Sequence, residues 1–230
     1  MIVLAVDAGN TRIKWGLHTG GGWSAVGAVA HARREDLGES WAVLEAPGRI
    51  AISNVAGAET ESFLRGLLGR WDAEQLWIRS RAGQCGVRNG YRDPAQLGCD
   101  RWAALIAARR LDPGPVLVVT AGTAMTADAL TGEGLFVGGI IVPGTQLMKR
   151  ALAGNTAGLQ EAAGVFQEFP GSTADAMESG AIHALAGAVE RMAALLAARG
   201  GGPPRCVLSG GAAEALAPRL GLPARRVDNL

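Results

Sequence analysis

Val3-Leu-Ala-Val-Asp7-Ala-Gly9-Asn-Thr11-Arg-Ile-Lys14 returns in altered form as Val116-Leu-Val-Val-Thr120-Ala-Gly122-Thr123-Ala-Met-Thr126-Ala127, displaced by 113 positions, with Thr120 in the place of Asp7. Each copy is a short β-rich apolar run that ends in a turn of small residues, the pattern of a buried strand delivering a loop to a site. Two equivalent loops imply two structurally similar halves. The segments around them agree. Arg49-Ile-Ala-Ile-Ser-Asn-Val55 reads as a further buried strand and residues 59–68 as an amphipathic helix. Trp102–Leu111 has helical spacing and stops before Pro113. Beyond it, Leu135–Val142 reads as a strand, residues 173–199 as one or two Ala-rich helices, and Cys206–Ser209 as a last strand running into Gly210-Gly211. Strands mixed with helices in both halves predict α/β layers. The expected boundary lies between Leu111 and Pro115, giving halves 1–112 and 113–230.

Composition narrows the class. The chain has 230 residues, 48% hydrophobic and 19% charged, ordinary for a globular protein. Its 22 basic and 21 acidic residues leave a net charge of +1, which gives no footprint for nucleic acid or an anionic membrane. Cys85, Cys99 and Cys206 form no CxxC and are odd in number, so neither a disulfide framework nor a zinc site is expected. The opening residues carry no basic n-region, and Asp7 interrupts their apolar run. A cytoplasmic protein without a membrane segment is the expectation.

The loops suggest phosphate chemistry. Gly9 lets backbone approach a ligand, Asn10 and Thr11 offer short donors, and Asp7 is suited to Mg²⁺ through oxygen ligands and water. There is no GxxxxGK[ST], so a P-loop is excluded. A plain strand-turn-strand, its Asp and Asn serving only the turn, is the alternative for the first loop. The second loop, Ala121 to Thr126, offers hydroxyls and N–H groups but no acid. Asp100 and Arg101 stand just ahead of the helix predicted from Trp102. Asp100 suits a proton acceptor and Arg101 a fork for a carboxylate; the alternative is a helix cap beside a surface charge. Cys99 reads as a small filler. His18, His31 and His183 show no usable spacing.

Gly90-Tyr-Arg-Asp-Pro-Ala-Gln-Leu-Gly98-Cys-Asp-Arg-Trp102 resembles the type III pantothenate kinase signature, in which a Tyr-x-x-Pro segment leads to Gly-x-Asp-Arg. DAGNT, AGTAMT, Val142-Pro-Gly-Thr145 and Ser172–Gly180 extend that resemblance along nearly the whole chain. It implies two duplicated actin-like, ribonuclease H-like halves with mixed sheets flanked by helices, as in the sugar kinase, Hsp70 and actin superfamily. It also implies ATP-dependent phosphorylation of pantothenate, the first step of coenzyme A synthesis, with Mg²⁺ at Asp7. By the same resemblance Asp7, Ala8, Gly9, Asn10, Thr11 and Lys14 form the first phosphate loop, and Gly122 and Thr123 the second. Gly210 and Gly211 face the adenosine, and Asp100 is the base. Tyr91, Gly98, Asp100, Arg101 and Thr173 line the pantothenate pocket, and a homodimer is implied. Two departures stand out. Relatives carry an acid where Thr120 stands, which leaves the implied potassium or ammonium dependence open. The chain ends at Val227-Asp-Asn-Leu230, where relatives continue through a short apolar tail. Another small-molecule kinase or ATPase of the superfamily, or a transcription-accessory protein of the Bvg accessory factor type, is the competing expectation.

Overall fold

The computed structural model describes residues 1–156, 158–160 and 162–228. The end of the sequence at 229–230 therefore lies outside the described residues. The chain divides into two compact units, Met1–Ser80 with Ala95–Ala103, and Arg81–Pro94 with Ala104–Leu230.

The first unit holds a five-stranded sheet built from β1 (Val3–Ala8), β2 (Arg12–His18), β3 (Trp23–Ala30), β4 (Arg49–Asn54) and β5 (Glu74–Trp77), in the order β3-β2-β1-β4-β5. β1, β2 and β3 are antiparallel neighbours, whereas β4 and β5 run parallel to β1. Alternation decides which face is covered: Leu4, Val6 and Ala8 of β1, with Ile50 and Ile52 of β4, enter one core with Leu64 and Leu68 of α2 (Ala58–Leu68). Leu37 and Trp41 of α1 (Leu37–Ala42) join it. Trp41 lies between Trp15, edge-on at 6.4 Å between ring centroids, and Trp71 at 5.9 Å.

The second unit repeats the plan. β8 (Val116–Ala121), β9 (Ala124–Leu130) and β10 (Leu135–Pro143) are antiparallel neighbours, and β11 (Arg205–Ser209) and β12 (Ala224–Arg226) run parallel to β8. Read from β10, the order β10-β9-β8-β11-β12 reproduces that of the first sheet strand for strand. The duplicated mixed sheets expected from the two loops are thus present. Two short strands, β6 (Gly83–Gln84) and β7 (Val87–Asn89), form a hairpin that adds to the β10 edge, with β7 parallel to β10.

β8 is buried along nearly its whole length, as a central strand covered on both faces should be. One face meets α5 (Thr173–Ala197), a single helix over the stretch expected to hold one or two. Ile182, Leu185, Ala186, Val189, Ala193 and Leu196 recur at helical spacing and pack with Leu117, Val119, Met125 and Ala127. Ser172 caps α5 by accepting from the Asp175 N–H and donating to the Asp175 carboxylate at 2.8 Å. α5 is the helix among the described residues that is long and apolar enough to cross a membrane; here its apolar stripe is spent on the sheet. α4 (Thr145–Asn155) is tied to α5 by a partly buried ion pair, Lys149 Nζ to Glu178 Oε2 at 2.5 Å. α3 (Cys99–Leu111) starts in the first unit and ends in the second, three residues earlier than the pattern from Trp102 suggested. α6 (Ala213–Leu216) follows β11.

Gly144 and Gly187 make a stability test. A Cβ at Gly144 would collide with the carbonyl oxygens of Gly122 and Thr123, whereas one on Gly187 of α5 meets nothing within 4 Å. Gly144→Ala is expected to destabilise by about 1–3 kcal/mol through overpacking. Gly187→Ala is expected to stabilise by about 0.5–1 kcal/mol, because alanine loses less backbone freedom in a helix. Urea unfolding of both variants, showing shifts of opposite sign, checks the packing.

Candidate active site

The parallel pairing of β1 and β4 puts Asp7 level with Ser53, and the antiparallel pairing of β1 and β2 puts Asp7 level with Lys14. Neighbours in register share a face, so the carboxylate, the hydroxyl and the ammonium form one row across three strands. The in-register Ser53 hydroxyl favours the charged form of the Asp7 carboxyl. Beyond Asp7 the chain turns tightly: the Gly9 N–H donates to the Arg12 carbonyl at 3.1 Å, and the Ala8 carbonyl accepts from the Val55 N–H at 3.0 Å. Asn10 and Thr11, at the tip, are exposed.

Asp100 enters the same neighbourhood from α3. It is the second residue of that helix rather than a residue ahead of it, because the Trp102 N–H already donates to the Gly98 carbonyl at 3.0 Å. Gly98 is thus the cap position, which removes the reading of Asp100 as a cap. The Asp100 Oδ1 atom accepts from the Arg101 N–H at 2.7 Å, fixing the carboxylate over the first turn. It also fills the space a side chain at Gly98 would need, since a Cβ there would stand 2.5 Å from Oδ1. Arg101 is buried, at 7% exposure.

The electrostatics follow from this crowding. The Asp7 carboxyl is held above its usual 3.8, first by desolvation and then by the Asp100 charge, with Lys14 and the Ser53 hydroxyl pulling the other way. Its side chain keeps solvent access although protein surrounds it, the situation of a group at a site rather than in a core.

Cys99, read from sequence as filler, has a larger part. Its Sγ lies 3.5 Å from the Ser53 Oγ and donates to the Asn54 carbonyl at 3.3 Å, joining the start of α3 to the end of β4. Asn54 in turn closes its own loop, accepting from the Ala56 N–H and donating to the Gly57 carbonyl, each at 3.0 Å. Neither Ser53 nor Asn54 was singled out from sequence. The segment was legible as a strand, but its pairing partner, which places Ser53 beside Asp7, was not.

In the second unit the equivalent row is Thr126, Thr120 and Ser209, three hydroxyls with no charge. The Gly122 N–H donates to the Ala124 carbonyl at 3.1 Å, making a turn one residue shorter than that at Gly9. Gly122 and Thr123 are exposed, and the Thr123 carbonyl accepts from the Gly144 N–H at 2.8 Å. That contact brings Val142-Pro-Gly-Thr145 against the loop. Gly210, with φ of +99°, sits against the Ala121 backbone, where only glycine fits; the Ala212 N–H donates to the Ala121 carbonyl at 3.1 Å, and Gly211 is open to solvent. Tyr91 stacks obliquely on Phe136 at 5.1 Å between centroids, its N–H donating to Asn89 Oδ1 at 3.1 Å. Thr173 is the exposed first residue of α5.

Of the residues expected at the site, the first unit brings together Asp7, Lys14, Gly98, Asp100 and Arg101, with the tip residues of the β1–β2 turn beside them. The second unit gathers Gly122, Thr123, Gly210 and Gly211 at the end of β8, whereas Tyr91 and Thr173 belong to its β7 and α5 ends.

Comparison with known proteins agrees. The family model for type III pantothenate kinase matches residues 3–195. The type III pantothenate kinase of Nitrosospira multiformis is 52% identical over 229 residues, covering 100% of this chain and 87% of the relative. That of Aromatoleum aromaticum is 50% identical over 229 residues, covering 100% and 94%. Among solved structures, a Campylobacter jejuni protein assigned to the Baf family of transcriptional activators superimposes with a TM-score of 0.59 at 19% identity, covering 97% of this chain and 90% of that one. At that identity it shows the fold alone, the duplicated actin-like one. With its paired carboxylates, its two glycine-hydroxyl turns and relatives matched from end to end, the chain belongs to the type III pantothenate kinase family, whose reaction is the ATP-dependent phosphorylation of pantothenate.

Proposed function

We propose that Asp100 is the base of this reaction, accepting the proton of the pantothenate primary hydroxyl as it attacks the γ-phosphorus of ATP. The observation that carries the reading is the placing of two carboxylates, Asp7 and Asp100, close enough for one charge to raise the pKa of the other, on the exposed end of a sheet and the first turn of a helix. Phosphoryl transfer asks for positioning, charge neutralisation and a proton acceptor, and these two residues divide the last two tasks. The first turn of α3 favours the negative charge that a base needs.

Asp7 suits Mg²⁺. A carboxylate crowded by protein and by a second negative charge gains from a cation beside it. No group of three or more His, Cys, Asp or Glu side chains exists among the described residues that would cage a metal. The ion would thus keep water and phosphate oxygens for most of its shell, as Mg²⁺ commonly does. When bound it neutralises phosphate charge. Ala8, Gly9, Asn10, Thr11 and Lys14 supply backbone and side-chain donors to phosphate in the first unit, and Gly122 and Thr123 do so in the second. Gly210 and Gly211 leave backbone open for adenosine. Arg101 recognises the pantothenate carboxylate, with Tyr91, Gly98 and Thr173 as further contacts. Thr120 offers a hydroxyl and no charge, so activation by potassium or ammonium is weaker than with an acid at that position. The enzyme works in the cytoplasm as a homodimer, without nucleic acid or membrane.

ADP release with pantothenate as sole acceptor tests the reading. Asp100→Asn is expected to lose about 10²–10⁴ in kcat, as general-base loss does, while ATP affinity stays at the wild-type value and Tm holds or rises as the repulsion on Asp7 is relieved. A kcat within about threefold of wild type, far short of that loss, removes Asp100 from the mechanism.

Asp7 yields a pH prediction. Its folded-state pKa lies above 3.8, so protonation favours the folded form; stability from this group is full below the unfolded value and is lost as pH rises through the folded one. At pH 7 and without Mg²⁺, Asp7→Asn is expected to hold or raise Tm, by up to about 2–4 °C, while Mg²⁺-dependent turnover collapses. The Tm difference closes as pH falls toward 4. Thermal melts across pH, paired with Mg²⁺ titrations, check both signs.

A further inference from the structure

The geometry points to Ser53 and Cys99 as positioning residues that together set the separation of Asp7 and Asp100. The inference rests on the roles proposed above for those two carboxylates. The links all lie inside the first unit. Ser53 is level with Asp7 across the parallel β1–β4 pair, where its hydroxyl favours the charged carboxylate. The Ser53 Oγ lies 3.5 Å from the Cys99 Sγ, and Cys99 is the residue before Asp100. The thiol is anchored in its turn on the Asn54 carbonyl at 3.3 Å.

Both side chains of this link are shielded: Ser53 is 5% and Cys99 8% exposed, so neither can serve as a ligand-binding surface or as a reactive thiol. Their chemistry is suited to holding. Each group has a single proton: the serine's is turned to the carboxylate side and the thiol's is given to the Asn54 carbonyl, so Ser53 Oγ and Cys99 Sγ meet at 3.5 Å in packing contact. Removing either group would let α3 settle closer to β4 or turn. Asp100 and Asp7 repel, so nothing between the two carboxylates themselves fixes their spacing, and the fixing falls to the groups behind them. Partners that orient a metal-binding carboxylate from behind typically matter by about 10–100-fold in metal affinity or activity.

The two ends of the link predict different kinetic signatures. Ser53→Ala removes the donor to Asp7 and is expected to raise the Mg²⁺ half-saturation about tenfold with KM for pantothenate unchanged. Calorimetric binding of MgATP to Ser53→Ala weakens in parallel, and Ser53→Thr, which keeps the hydroxyl, recovers most of both. Cys99→Ala loosens Asp100 and is expected to lower kcat about tenfold with Mg²⁺ half-saturation unchanged, and Cys99→Ser restores it. Wild-type Mg²⁺ dependence in folded Ser53→Ala overturns the inference, as does failure of Ser53→Thr to recover. Should Ser53→Ala not fold, wild-type kcat in Cys99→Ala overturns it instead. Asp7→Asn and Asp100→Asn run alongside. If either is silent, the assignment of that carboxylate has failed; if both are impaired while Ser53→Ala and Cys99→Ala are not, only the positioning role has failed.

Discussion

A pair of like charges cannot hold itself together, and that constraint organises the first half of the molecule. Desolvation raises the Asp7 pKa and the Asp100 charge raises it further, so the arrangement is unfavourable taken alone. What maintains it is ordinary packing at some remove. Leu4, Val6 and Ala8 seat β1 in the core, Ile50 and Ile52 seat β4 beside it, and the parallel register fixes Asp7 against Ser53. The opening turn of α3 then lies where Cys99 meets β4 and Gly98 leaves room for the Asp100 carboxylate. Perturbed titratable groups of this kind cluster at functional sites.

Much of this was legible in the chain itself because the signals are local. A run such as Val-Leu-Ala-Val ending in Asp-Ala-Gly-Asn-Thr announces a strand and a turn, and its second copy announces a second half. The strands at Arg49–Asn54 and Arg205–Ser209 and the helix at Ala58–Leu68 lay within a residue or two of their expected limits. Elements without a buried stripe were not legible. β3 has no fully buried residue, and α4 has Lys149 as its buried one, so neither announces itself by hydrophobic period. The site divided in the same way. Asp7, Asp100 and the glycine turns carry their chemistry in their own sequence neighbourhoods. The part played by Ser53 and Cys99 arises from pairing between segments 46 positions apart, which no local pattern encodes. The early start of α3 was hidden too, since Asp100 and Arg101 read as residues ahead of the helix until the hydrogen bond from Trp102 to Gly98 is seen.

Duplication with divergence is visible at single-residue resolution. Ser53 and Ser209 occupy the same place beside the central strand of each sheet, yet one faces a carboxylate and the other a threonine. Lys14 and Thr126 likewise correspond across the antiparallel neighbour, give or take the one-residue difference in the turns. The backbone template has been kept in both copies while charge of either sign is confined to one. Within these matching rows only the first copy carries titratable groups, so under the proposed roles the handling of cation and proton is separated from the presenting of neutral donors to phosphate, with one fold serving both.

The hairpin of β6 and β7 has a bearing on how the polypeptide is made. These strands are synthesised directly after the first sheet is complete at Trp77, but the strand they join, β10, begins only at Leu135. During vectorial synthesis the hairpin therefore emerges from the ribosome with nothing to pair with and must wait while α3, β8 and β9 are added. An unpaired edge is exposed to wrong partners for that interval. Gly83, Gln84, Cys85 and Gly86 at its start are polar or small and poor in β-forming side chains, and the Cys85-Gly86 turn, with φ of +50° and +77°, closes the hairpin on itself. Shortness and a self-closing turn make this waiting strand a weak template for aggregation, a protection that matters on the ribosome and is no longer called on once β10 arrives.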